Sequence, residues 1–359
     1  MSRVDWADVA QLAALLKDPH AGPAAVSDVE WRKIEQTVTV LRREQDWAGI
    51  VRLRTLFAAA CTRDTFTGSA LIRQLEEEAI HAAEQLEDKL HLAMFWGDRG
   101  HNLHRQGFHR ESIEAFDSSS RYYQDLHNNE YVLRNRLMTA LCLRALHRWE
   151  DACRIAIEVL EQVPAGDSWR GQPLQMLAWL YKDQGEWQKA EDYLREALAW
   201  QGQSGDADIL VAGTLADIGE LWGLQGRFEE AQLAFTESLS LLDRHQGQYD
   251  RQEARTKLKL AELRAQQGKY ELALQLLLEA DRLCCMYGHY YDQLWKIELV
   301  MASVLFRTGE YRGAAAKLAS ALHIRRRLNL STWLLVKKLL DRYRARFAAR
   351  LLYRGGEGP

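Results

Sequence analysis

Residues 223–235 read GLQGRFEEAQLAF, and the spacing within this stretch predicts a turn between two helices. Gly226 stands where a first helix would end, because glycine takes the left-handed conformation without a Cβ penalty. Phe228 follows two places later, Ala231 five and Phe235 nine, an order that puts the small and bulky residues on one face of a second helix. The same beat returns in DQGEWQKAEDYL (183–194), QQGKYELALQLL (266–277) and RTGEYRGAAAKL (307–318). Looser copies turn at Gly107 and His147. From Gly107 through His147, Gly185, Gly226, Gly268 and Gly309 the steps are 40, 38, 41, 42 and 41 residues, a fixed period of the kind solenoids show.

The regularity extends upstream and downstream of each turn. Seven residues before it stands a small residue: Gly100, Ala140, Ala178, Gly219, Ala261, Ala302. Five after it stands another: Ser112, Ala152, Ala190, Ala231, Ala273, Ala314. Small residues on both helices let an antiparallel pair approach closely. The aromatics two places after the turn (Trp149, Trp187, Phe228, Tyr270, Tyr311) are expected to be buried at the elbow. One hairpin cannot cover its own apolar face, so neighbours must stack. An all-α solenoid of stacked antiparallel hairpins follows.

Composition agrees with this reading. The chain has 359 residues, 47% hydrophobic and 27% charged, and only 5 prolines, which favours helices throughout. A net charge of -3 removes a global basic field for nucleic acid, although local patches remain possible. The 5 cysteines are odd in number and have no C-x-x-C spacing, so reduced thiols are expected rather than a disulfide framework or structural zinc. Adjacent Cys284 and Cys285 point in different directions on a helix. The start, MSRVDWADVAQLAALLKD, does not read as a secretory signal, and no apolar run is long enough to span a bilayer. A cytoplasmic location is expected.

The quoted motifs resemble the tetratricopeptide repeat family, whose pattern is small–aromatic–glycine–aromatic–alanine–aromatic–alanine across a helix–turn–helix. The period of about 40 exceeds that family's usual length and looks like its longer-helix variant, found in bacterial peptide-sensing regulators, motor light chains and the sensor arms of signalling ATPases. The resemblance implies a right-handed superhelix with six repeats over residues 89–330. A divergent repeat is expected at 44–88 and capping helices with a loop at 1–43, including a capping box of Ser27 with Glu30. Residues 331–359 are expected to be a basic amphipathic capping helix and a short tail.

The resemblance also implies where a partner would lie. First-helix positions three, six, ten and thirteen before the turn line the family's groove. Here they are His101, His104, Arg134, Arg144, Gln175, Trp179, Lys182, Glu220, Arg255, Glu262, Lys296 and Ser303. Basic and polar groups dominate, suiting a peptide or protein that carries acidic groups, and Trp179 is the one large aromatic. The family's asparagine-based carboxylate clamp is not reproduced: Asp98, Met138, Met176, Asp217, Lys259 and Val300 occupy one of its positions.

Two other features carry charge or ligating groups. Arg325, Arg326, Arg327, Lys337, Lys338, Arg342 and Arg346 make a basic C-terminal surface. It reads as a solvated cap, a docking site for an acidic partner, or a nucleic-acid or membrane contact. The segment GHNLHRQGFH (100–109) places His101 and His104 three apart, a spacing at which two histidines can share a metal. No acidic or thiol ligand lies at a matching local spacing, so no metal and no cofactor are expected. Phosphate-loop, dinucleotide, zinc-protease and nucleophile-elbow motifs are all absent, and no enzyme is expected. The sequence therefore points to a scaffold, adaptor or regulatory subunit that binds a protein or peptide. A groove that changes curvature on binding a peptide or ligand is the second reading, and nucleic-acid binding through the C-terminus the third.

Overall fold

A computed structural model describes residues 4–17, 28–58, 70–201, 207–245, 250–286 and 291–327. Among them are sixteen α-helices and no strand. They are α1 (Trp6–Lys17), α2 (Asp28–Arg43), α3 (Trp47–Leu56), α4 (Ala70–Gln85), α5 (Lys89–Gln106), α6 (His109–Asp125), α7 (Asn129–Ala145) and α8 (Trp149–Gln162). There follow α9 (Gly171–Gln184), α10 (Trp187–Gln201), α11 (Ala207–Leu224), α12 (Phe228–Asp243), α13 (Asp250–Gln266), α14 (Tyr270–Met286), α15 (Tyr291–Thr308) and α16 (Tyr311–Arg327). Each odd-numbered helix from α3 onward packs on the next, and each hairpin packs on its neighbour, which makes the chain an α-solenoid. First helices also touch one another across hairpins: α7 with α9, α11 with α13, and α13 with α15. They form the inner layer of the stack.

The turns follow from the sequence beat. Gly107, Gly185, Gly226, Gly268 and Gly309 adopt φ between 77° and 89°, and His147 takes the same region at 61°. Past each turn the next N–H reaches five residues back, as from Arg227 N to the Trp222 carbonyl at 2.9 Å. This closure satisfies carbonyls that a helix end would otherwise leave open. A second set of turns joins one hairpin to the next at Gln45, Glu87 and His127, with φ of 54°, 51° and 53°. There the following residue caps the new helix: Asp46 accepts from Gly49 N at 2.8 Å and Asp88 from His91 N at 3.1 Å.

Close approach within hairpins is real and steric. A Cβ on Gly100 would fall 2.7 Å from the Phe116 ring, and one on Gly219 3.0 Å from the Phe235 ring. Small polar residues at these crossings stay satisfied: Ser112 Oγ donates to the Gly100 carbonyl at 2.8 Å and Ser238 Oγ to the Ala212 carbonyl at 2.7 Å. Phe116, Leu194, Phe235 and Leu277, nine places after their turns, are buried. Each contributes about 1.5–3 kcal/mol.

Two expectations need correction. The elbow aromatics do not fill the gap between helices. Each is the first residue of its second helix, at the end of the hairpin. Trp187 is consequently 42% exposed and Tyr311 63% exposed, while Trp149, Phe228 and Tyr270 are half-buried. Leu318 is 37% exposed, because α16 is the last described helix and no described hairpin stacks beyond it. Arg325, assigned above to a basic surface, is fully buried, with its guanidinium 4.4 Å from the Trp295 ring centre. It faces inward because it lies four residues after the buried Ala321, on the packed face of α16. Arg326 is exposed, and Arg327 ends α16 with its side chain outside the described residues. Ser27, Cys61, Lys337, Lys338, Arg342, Arg346 and the C-terminal helix also lie outside them.

Candidate functional site

A cleft of about 340 Å³ opens on the inner layer. Every lining residue belongs to the first helix of a hairpin: Arg144 on α7, Trp179 and Lys182 on α9, and Glu220 on α11. Arg255, Leu258, Lys259 and Glu262 come from α13, and Gln293, Trp295, Lys296 and Leu299 from α15. Five successive hairpins thus contribute to one wall. A larger depression of about 480 Å³ over α4, α5 and α6 is lined mainly by polar side chains such as Glu84, Ser118, Arg121 and Gln124. It draws on two hairpins only.

The floor of the cleft is built around Asp217, which is 1% exposed. One oxygen accepts from Gln175 Nε2 and from the Trp179 indole N–H, both at 2.8 Å. The other meets Arg255 at 2.8 Å and Lys259. Lys259 continues to Glu220 at 2.9 Å, and Glu220 to Lys182 at 2.9 Å. Burial pushes the Asp217 carboxyl up, but Lys259, Arg255 and Lys182 outweigh it and hold the group down to about 2. Glu220 is governed the same way: burial raises it, and Lys182 and Lys259 carry it well below the usual carboxylate range. The network laces α9, α11 and α13 together along the inner wall. At its edge Arg144 pairs with Asp183 at 2.6 Å and lies 5.5 Å from the Trp179 ring centre, with Arg255 at 5.8 Å.

Of the groove residues inferred from sequence, the structure brings Arg144, Trp179, Lys182, Glu220, Arg255, Glu262 and Lys296 to this cleft. Gln175 stands against it through Asp217. The other four lie elsewhere. Arg134 is exposed and pairs with Glu130 at 2.6 Å. His101 packs edge-on to Phe116, with ring centres 5.1 Å apart. His104 turns toward His109 and Cys142, and Ser303 on α15 is half-buried outside the cleft lining. Sequence reasoning passed over Asp217 and Lys259, yet both occupy the position nine before the turn in consecutive repeats. Opposite charges at one register in neighbouring units were the signal.

The histidine cluster has its own electrostatics. Burial first, then His109, His101 and the nearby arginines, push His104 down to about 3. Burial lowers His101 and His109 as well, and lifts the Cys142 thiol to about 11.

Residues 139–200, the α7–α10 region where these turns and helix crossings lie, match the family model of the tetratricopeptide repeat. Within these residues the chain carries the tetratricopeptide-repeat pattern. Solved tetratricopeptide-like solenoids share the fold over nearly the whole length. A Rap protein complexed with competence and sporulation factor aligns at 13% identity over 90% of this chain and 98% of that one, with a TM-score of 0.57. NprR in complex with its cognate peptide NprX aligns at 16% identity over 97% of each chain, with a TM-score of 0.56. The apo form of RapI aligns at 12% identity over 83% and 98%, with a TM-score of 0.55. No curated protein sequence matched the chain. No helix among the described residues is long and apolar enough to cross a membrane.

Proposed function

We propose that this tetratricopeptide-repeat chain binds a peptide segment of another protein in the inner cleft and performs no catalysis of its own. One observation carries the reading: the cleft is lined wholly by first helices of five hairpins, the surface a solenoid offers to an extended partner. Five cationic and two anionic side chains line it, with Asp217 beneath. The modest positive excess favours a peptide with acidic groups, whose carboxylates would exchange with Asp183 or Glu220. Trp179, Trp295, Leu258 and Leu299 supply apolar surface for an anchoring side chain. The similar NprR structure holds a peptide, which supports the same class of ligand here. Cys142, Cys153 and Cys285 are free thiols, in keeping with a reducing compartment such as the cytoplasm.

A second reading, in which binding changes the curvature, is favoured by the ion-pair lacing of α9, α11 and α13. A ligand carboxylate competing for Lys182 or Arg255 would loosen contacts that fix the angle between hairpins.

The test is capture of a partner from the native host with the full chain, followed by mapping on an array of its peptides. Trp179→Ala and Arg144→Ala are expected to weaken the captured peptide about 30-fold each, as for truncated hot spots. Circular dichroism confirms that the helices persist. Equal affinity in both variants would remove the cleft from consideration.

A further inference from the structure

The three groups that the sequence keeps apart in different elements meet at the junction of two hairpins. His104 lies in the last turn of α5, His109 is the first residue of α6, and Cys142 is on α7 of the following hairpin. One ligating atom from each lies within 4.8 Å of the other two. His104 Nδ1 is 3.4 Å from Cys142 Sγ. Around a single ion with metal–sulfur and metal–nitrogen bonds of about 2.3 and 2.0 Å, neighbouring ligand atoms stand about 3.5 Å apart. The first pair is therefore already at ligand spacing, and a small rotation of His109 closes the set.

Two further observations point to a ligand here. His109 Nδ1 is buried and makes no hydrogen bond, an uncommon state for an imidazole nitrogen. The Ser112 hydroxyl sits 3.3 Å from the thiol and donates to the Gly100 carbonyl, which fixes the Cys142 side chain from behind. Outer contacts of this type orient the sulfur of metal-binding cysteines.

We propose that His104, His109 and Cys142 form a three-coordinate site for a soft d10 cation, copper(I). Thiolate and imidazole ligands select soft or borderline ions, and three protein ligands complete a copper(I) site, whereas zinc(II) needs a fourth ligand such as water. Charge argues the same way. One thiolate and two neutral imidazoles carry -1, so copper(I) gives a neutral site beside Arg105 and Arg144, where a divalent ion would leave a positive one. Binding breaks the S–H bond of Cys142, forms the copper–sulfur bond and releases the proton to solvent, with no change in oxidation state. The ion would join α5 and α6 to α7 and so pin one inter-repeat angle. This site is independent of the peptide-binding reading.

The experiment is an anaerobic titration of the full chain with copper(I) against a competing copper(I) chelator, following the ultraviolet thiolate-to-copper band. The intact chain is expected to hold one equivalent about 100-fold more tightly than Cys142→Ser or His109→Gln. Copper(I) should also raise the melting temperature of the intact chain and leave that of Cys142→Ser unchanged. His109→Gln alters a half-buried residue and keeps the test open if the buried cysteine variant fails to fold. No tight equivalent in the intact chain, or equal affinity in both variants, would overturn the proposal.

Discussion

Trp187 and Phe235 occupy different beats of neighbouring repeats, two and nine places after their turns, and meet different surroundings. Phe235 lies against Gly219 in the crossing of α11 and α12 and is 1% exposed. Removing it leaves a cavity, and Phe235→Ala is expected to cost about 3–5 kcal/mol. Trp187 opens α10 at the end of its hairpin and keeps much of its ring in water, so Trp187→Ala should cost about 1–2 kcal/mol. Urea melts of the two variants check the order. A larger loss for Trp187 would mean that the end of the hairpin is covered.

At the scale of elements, the junction of α3, α4 and α5 depends on charge in an otherwise apolar cluster. Arg54 is fully buried, bonds Asp98 at 2.8 Å and lies 4.0 Å from Glu76. Glu76 accepts from Asn102 at 2.5 Å, and its carboxyl is raised by burial against the pull of Arg54. These contacts tie the first well-packed hairpin to the next. Arg54→Ala leaves the buried Glu76 and the half-buried Asp98 without their cation and is expected to cost about 3–5 kcal/mol, measured by chemical denaturation. Loss of only a few tenths would show that Asp98 relaxes into solvent.

Across the whole molecule, each unit contacts only its neighbours, so its curvature is set by a few contacts between hairpins. Asp217 is central among them, since it gathers groups from α9 and α13 onto α11. Its folded value of about 2 lies below the unfolded carboxylate value of about 3.9. The stabilisation it gives is therefore present above about pH 4 and lost as pH falls through 2. Asp217→Asn is expected to lose about 2–3 kcal/mol at neutral pH, with the difference from the unaltered chain shrinking between pH 4 and pH 2. Small-angle scattering should show a larger radius for the variant at unchanged helix content. An unaltered radius would mean that the lacing stabilises the wall without setting its curvature.

The beat around Gly226 was enough to determine helices, turns and their stacking, because left-handed glycines and small residues at fixed offsets have one packing solution. The family resemblance, carried by that beat, implied the groove positions of Arg144, Trp179, Lys182 and Arg255, all on first helices. What lies between repeats was settled only by tertiary structure. The pairing of Asp217 with Lys259, the burial of Arg325 on Trp295, and the meeting of Cys142 with His104 and His109 depend on the angle at which one hairpin seats on the next. That angle arises from many side-chain contacts summed over the stack, and no local spacing encodes it.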